Sequence, residues 1–178
     1  MTSVRRHSGF TLIEVLIVVV IMAILAATII PQFSSSTKDA KLSTVKFNQQ
    51  SLRSQVEMYK ANHLGNYPPV VSGNIPGLLY CSDANGNMAT PNSATPDGTH
   101  IYGPYVNNQS LPTNPFDGTT TVTAVATAGT VPTTTVGTAK GWQYDVTTGG
   151  IYPNDPEYWA LTNGQTSGEG SNDSITNK

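Results

Sequence analysis

Glu14 is the one charged residue in an apolar run that extends from Phe10 to Ile30, and it limits what the chain can become more than any other residue. The run is 21 residues long, and a helix needs about 20 to cross the hydrocarbon of a bilayer. A helix that is apolar on every side finds burial only in a membrane or among other helices. A carboxylate in that setting costs roughly 2.5 to 3.5 kcal/mol if it faces lipid. Glu14 therefore reads as a functional group in need of a cationic partner.

Two ordinary readings compete for this stretch. Arg5 and Arg6 followed by apolar residues and Ile24-Leu25-Ala26-Ala27 have the outline of a secretory signal with a small-residue cleavage site, but that reading places an acid near the start of the apolar region. A plain membrane anchor fits the length and leaves Glu14 without a purpose. The hexapeptide Gly9-Phe10-Thr11-Leu12-Ile13-Glu14 resembles the prepilin signature of type IV pilins and of the pseudopilins of type II secretion. The resemblance implies that residues 1–9 are a leader, cut after Gly9 by prepilin peptidase, which also methylates the new amine of Phe10. It also supplies the missing cation. With Phe10 first and Glu14 fifth, the carboxylate neutralises the terminal amine of its own or a neighbouring subunit on assembly. Such pairing offsets much of the desolvation of both charges, whereas removing one partner strands the other at several kcal/mol.

Bases precede the apolar run, so the positive-inside rule puts the leader in the cytoplasm and the remainder outside the inner membrane. Residues 38–60 carry five bases against two acids, and residues 61–178 carry two against eight. A basic stem beside an acidic head suits either contacts between subunits or simply two solvated faces. Cys81 is the only cysteine, so no disulfide closes within the chain; many type IV pilins resemble one another in closing a C-terminal loop with one.

Pro31 follows the apolar run and predicts a helix kink. Ser34-Ser35-Ser36-Thr37 is a poor helix former and predicts a flexible section. Leu42, Val45, Leu52, Val56 and Tyr59 then recur at three- and four-residue spacing, with Gln49 in the gap, which is one buried stripe on an amphipathic helix. Arg53 and Glu57 are spaced as an i,i+4 pair. Leu64, Gly65, Pro68 and Pro69 stop the helix. The stem is thus expected over about residues 10–63, as a membrane or filament-core part (10–30) and an amphipathic part (31–63), roughly 80 Å long at 1.5 Å per residue. Residues 64–178 are expected to form one small β-rich head. The fold class is α+β and pilin-like: a long N-terminal helix packed on a small antiparallel sheet with long loops.

In the head, Trp142 to Val146 and Ile151-Tyr152 read as strands joined by a tight turn over Thr147 to Gly150. Ten threonines between Thr119 and Thr138 suit an exposed hairpin turning near Ala128-Gly129, an insertion relative to the pseudopilin pattern. Residues 81–100 read as a surface loop. Tyr67-Pro68-Pro69 with Gly77-Leu78, the segment Leu111 to Gly118, and Gly141 to Asp145 with Gly149-Gly150-Ile151 resemble, in that order, the major pseudopilin of type II secretion.

The tail from Asn163 to Asn177 resembles a pseudopilin loop that holds a structural calcium. Asn163 and Ser174 stand where that pattern has acids, and Asp173 is one residue out of step; hard cations want charged oxygen ligands. Asp83-Ala84-Asn85-Gly86-Asn87 has the beginning of a calcium loop without the rest and reads as a turn. No catalytic set is spaced for chemistry, no cofactor is required, and a head with Lys140 and Lys178 as its only bases does not suit nucleic acid. The resemblance implies a structural, non-enzymatic subunit of a homo-oligomeric filament. Its partners are the inner membrane before assembly, prepilin peptidase, minor pseudopilins and a secretion or pilus assembly machinery. A type IV pilin for adhesion or motility is the alternative, and a soluble domain released by ordinary signal peptidase is the third reading.

Overall fold

Residue spacing and capping place the secondary structure in the computed structural model, which describes residues 9–90, 92–138 and 140–163. The leader up to residue 8 and the candidate calcium residues Asp173 and Ser174 lie outside the described residues. The chain divides into two units, Met1–Ala40 and Lys41–Lys178.

In the first unit, helix α1 (Leu12–Asn62, continuing into the second) starts where the apolar run starts. Large side chains from Leu12 to Ile30 are all exposed, Leu12 at 83% and Ile30 at 67%. The helix continues through Pro31 and through the serine cluster expected to be flexible. There the hydroxyls of Ser35 and Ser36 donate to the Gln32 carbonyl, each at 3.0 Å, and Thr37 donates to that of Phe33 at 2.9 Å. Hydroxyls that fold back on their own helix leave no polar group seeking a partner elsewhere.

In the second unit, α1 ends at Asn62 and the chain leaves it through Leu64 and Gly65, both at positive φ. Short helix α2 (Pro76–Leu79) follows, then strands β1 (Val122–Ala124), β2 (Trp142–Tyr144) and β3 (Ile151–Pro153), and helix α3 (Pro156–Asn163). Val45, Leu52, Val56 and Tyr59 are buried as the stripe requires. Leu52, Val56 and Tyr59 pack with Ile75, Leu78, Leu111, Trp142, Tyr144 and Ile151 into one core. Gln49, the polar gap in the stripe, donates to the Ile151 carbonyl at 2.7 Å and so ties α1 to β3. The expected Arg53–Glu57 pair is not made. Arg53 lies over the Tyr152 ring, 5.0 Å from its centroid, while Glu57 accepts from the Tyr67 hydroxyl at 3.2 Å. An aromatic face and a phenol placed by the tertiary fold outcompete a solvent-exposed helix pair.

The sheet is mixed where an antiparallel one was expected: β2 and β3 form the expected hairpin, but β1 runs parallel to β2, Val122 opposite Trp142. The threonine-rich segment is therefore a crossover connection and not a hairpin, since a parallel neighbour cannot be reached by a tight turn. Side chains of the sheet hold it. Gln143 donates to the Thr134 carbonyl at 2.8 Å, Asp145 accepts from Gly129 N–H at 2.7 Å, and Asn154 bonds both ways with the Val136 backbone, each at 2.8 Å. Gly141, at φ +69°, lies so close to the Thr121 carbonyl that a Cβ would collide with it. Asp155 caps α3 by accepting from the N–H groups of Glu157 at 2.8 Å and Tyr158 at 3.3 Å. The cap, a proline in the first helical position and an acid after it make Asp155-Pro156-Glu157 a start signal readable in the sequence.

Leu52→Ala is expected to cost about 2 to 5 kcal/mol by opening a cavity in the core. Tyr144→Phe is expected to change stability by less than about 1 kcal/mol, because the buried Tyr144 hydroxyl has no partner to lose among the described residues. Urea midpoints of the full-length protein in detergent measure both. A second expectation concerns acid. Burial opposes the charge of Asp145, but N–H groups of Thr147 and Gly129 and the Thr148 hydroxyl outweigh it and hold the carboxyl below its usual range. The His100 N–H, the His100 ring and the Thr99 N–H hold Asp97 at about 2. A depressed carboxylate stabilises the fold above its unfolded value and ceases to do so as pH falls through its folded value. The Asp97 turn is therefore expected to hold down to the ordinary aspartate value of 3.8 and to be lost toward about 2, and the bonds to Asp145 are expected to be lost below that ordinary value as well, followed by amide exchange at Thr99, His100 and Gly129.

Candidate processing and assembly site

The site begins at the last residue before α1. Gly9 is exposed, and a Cβ built on it would meet nothing within 4 Å. Among the described residues, neither packing nor backbone strain requires glycine there. Phe10 is 86% exposed, the highest among the exposed large apolar residues.

Thr11 and Glu14 close the first turn of α1 on each other. The Glu14 carboxylate accepts from the Thr11 N–H at 2.8 Å and from its hydroxyl at 2.7 Å, and the Thr11 hydroxyl oxygen accepts from the Glu14 N–H at 3.3 Å. This reciprocal arrangement is a capping box, which satisfies amide groups that a helix start leaves open and sets an acid at the positive end of the helix dipole. The sequence carried its signature, Thr-x-x-Glu before an apolar run, and it went unread beside the larger question of why an acid sits there. The group that Glu14 holds is thus Thr11. Pro31 lies inside α1, seventeen residues on, and takes no part in this cluster.

The remaining candidates fall elsewhere. Asn163 ends α3. Among the described residues, no group of three or more His, Cys, Asp or Glu side chains is placed to hold a metal. The Asp83 carboxylate accepts from the Asn85 and Asn87 N–H groups at 2.8 and 2.9 Å, which is the turn expected there. His63 is buried and stacked on Tyr59, with ring centroids 3.6 Å apart; its Nδ1 donates to the Tyr59 carbonyl at 2.7 Å and its Nε2 meets the Ser82 hydroxyl at 2.8 Å. Burial pushes the Cys81 thiol up, and its sulfur donates to the Gly103 carbonyl at 3.4 Å. Both side chains serve the core.

Residues 4–30 match the family described as the prokaryotic N-terminal methylation motif. The type II secretion system core protein G of Pseudomonas aeruginosa is 41% identical over 69 residues, which is 39% of this chain and 48% of that protein. Proteins of the same name from Aeromonas hydrophila and Dickeya chrysanthemi are 35% and 33% identical over 69 residues, 39% of this chain in each case, covering 48% and 44% of their own lengths. The similarity falls in the N-terminal region and spans about half the length of these relatives. No solved structure matches the chain. With a methylation motif at its start and a long helix beside a small sheet, the chain is pilin-like, and over its N-terminal region it is similar to the major pseudopilin of type II secretion.

Proposed function

We propose that this protein is a pseudopilin, a structural subunit that is cut after Gly9, methylated at Phe10 and polymerised into a helical filament of a type II secretion system to drive protein secretion. The observation that carries the reading is the exposed apolar stretch behind Gly9-Phe10-Thr11-Leu12-Ile13-Glu14. Its most apolar 18-residue window reaches a mean hydropathy of 3.0 with none of it buried. Before assembly, lipid of the inner membrane covers this stretch, with the head outside the cytoplasm; afterwards, the same stretch of neighbouring copies covers it.

The capping box suggests how Glu14 meets its cation. Cutting after Gly9 turns the amide of Phe10 into an amine one residue before the Thr11 N–H that Glu14 already holds. A carboxylate placed there needs only a change of its own rotamer, or a neighbour's amine at the same place, to form a charge-assisted bond. Prepilin peptidase, minor pseudopilins and the assembly machinery are the partners this reading requires.

Intact mass and N-terminal sequencing of the protein from its own cells are expected to give a chain that starts at methylated Phe10. A start near Ala27 would mean that the apolar stretch is discarded as a secretory signal and would overturn the reading. Glu14→Ala is expected to leave cleavage and membrane insertion unchanged and to lower filament yield by tenfold or more, roughly the effect of stranding one buried charge, as scored by sheared-filament immunoblots.

A further inference from the structure

Ten threonines lie between Thr119 and Thr138, and the fold does not account for them. Threonine is favoured in strands because its branched side chain packs on a pleated surface. Only Thr123 of the ten stands in a strand, β1. The crossover from β1 to β2 carries six of them, Thr127, Thr130, Thr133, Thr134, Thr135 and Thr138, and all but Thr135 are exposed. Gln143, Asp145 and Asn154 hold this crossover by its backbone, through the Thr134 carbonyl, the Gly129 N–H and both groups of Val136. Those bonds use no threonine hydroxyl. Exposed segments are ordinarily hydrated by charged side chains, yet from Val125 to Ala139 there is no charged residue, and every polar side chain is a threonine.

The hydroxyls are not alike. Thr130 donates to the Thr127 carbonyl at 2.8 Å and Thr134 to the Thr135 carbonyl at 3.4 Å, and Thr133 is engaged too. Thr127 and Thr138 are exposed, and their hydroxyls have no partner among the described residues. They are also the two threonines of the crossover with alanine or glycine on both sides, in Ala126-Thr127-Ala128 and Gly137-Thr138-Ala139. Each belongs to a turn made by a glycine at positive φ, Gly129 at +79° for Thr127 and Gly137 at +62° for Thr138. A hydroxyl that stands on a turn between such small neighbours is open to an approaching molecule. A threonine-rich tract interrupted by proline, here Pro132, is also the composition of segments that carry O-linked sugars.

We propose that the crossover is a sugar-modification site in which Thr127 and Thr138 each carry an O-linked glycan. The donor is a sugar activated at its anomeric carbon by a phosphate ester. The threonine Oγ1 attacks that carbon, the bond from it to the phosphate oxygen breaks, the phosphate leaves with the bonding pair, and the hydroxyl proton passes to a base of the transferring enzyme. The attached sugars hydrate a segment that has no charge of its own and cover Val131, 62% exposed, which shares a shallow hollow with Thr127. Neither turn has to change, because the bonds to the sheet run through other groups. The inference goes beyond the filament reading and stands without it.

The test takes the full-length protein from its own cells. Trypsin cuts after Lys60 and Lys140, so residues 61–140 come away as one peptide. That peptide is expected to be heavier than its sequence by whole sugar residues, to lose the excess on mild alkaline elimination, which frees sugars from threonine and not from asparagine, and to fragment with the excess on Thr127 and Thr138. Thr127→Val combined with Thr138→Val is expected to abolish the excess. Thr127→Ser combined with Thr138→Ser keeps both hydroxyls and is expected to retain it. A peptide at its unmodified mass, an excess placed on other residues, or one that survives the double valine change would overturn the site and leave the filament reading standing. A chain that starts near Ala27 would overturn the filament reading and leave the mass of this peptide unaffected.

Discussion

A helix that is apolar on every side has no resting place in water, and the organisation of this protein follows from where that helix is hidden. From Leu12 to Ile30 nothing among the described residues covers it. The chain instead removes the polar obstacles to burial. The Thr11–Glu14 box closes the first turn, the Thr28 hydroxyl folds back on the Leu25 carbonyl at 2.9 Å, and Ser35, Ser36 and Thr37 do likewise after Pro31. A segment whose polar groups are satisfied internally suits hydrocarbon, and it suits a bundle of like helices equally. On the proposed reading, that equivalence lets a subunit pass from membrane to filament without re-pairing its backbone.

The head solves a different problem, since three strands of three residues each supply few ladder bonds. Side chains do much of the pairing that strands do elsewhere. Asn114 donates to the Gly141 carbonyl at 2.8 Å, Asp117 accepts from the N–H groups of Thr119 and Gly141, and Gln143, Asp145 and Asn154 hold the crossover. These five buried or half-buried polar residues bond backbone groups that lie outside the three strands. This explains how a segment with ten threonines and little apolar content stays attached to the sheet, and why the Asp145 carboxylate is held below its ordinary range.

The stem was legible because its signals are periodic and local. The stripe of Val45, Leu52, Val56 and Tyr59, the stop at Leu64-Gly65 and the β2–β3 hairpin all lie where spacing and turn residues put them. What escaped were choices made by long-range contacts. Whether β1 runs parallel or antiparallel depends on where a crossover is pinned, and the pins, Gln143 and Asn154, are ordinary polar residues in sequence. Arg53 leaves Glu57 for Tyr152, a partner about a hundred positions away. The serine cluster after Pro31 shows the reverse: weak intrinsic helix propensity predicts unwinding, whereas back-bonding hydroxyls accompany a continuous helix. Of the candidate site, the motif was plain and the capping box was not, because the same glutamate serves both.

That double service carries a consequence for the order of events on the proposed pathway. While the leader is attached, position 10 contributes a neutral amide, so a subunit entering a nonpolar core would bring the Glu14 charge with it unbalanced. Its bonds to Thr11 satisfy the oxygens but cancel no charge, and burying an uncompensated carboxylate is what makes a broken ion pair so costly. Cleavage adds a positive charge one residue from the atoms that already hold the carboxylate, and the pair then sums to zero. No refolding of α1 is needed, because the capping box is built from residues on the mature side of Gly9. On the proposed pathway, the step that makes the chain competent to assemble is accordingly a change of charge at one nitrogen, and electrostatics keeps uncut chains out of the filament.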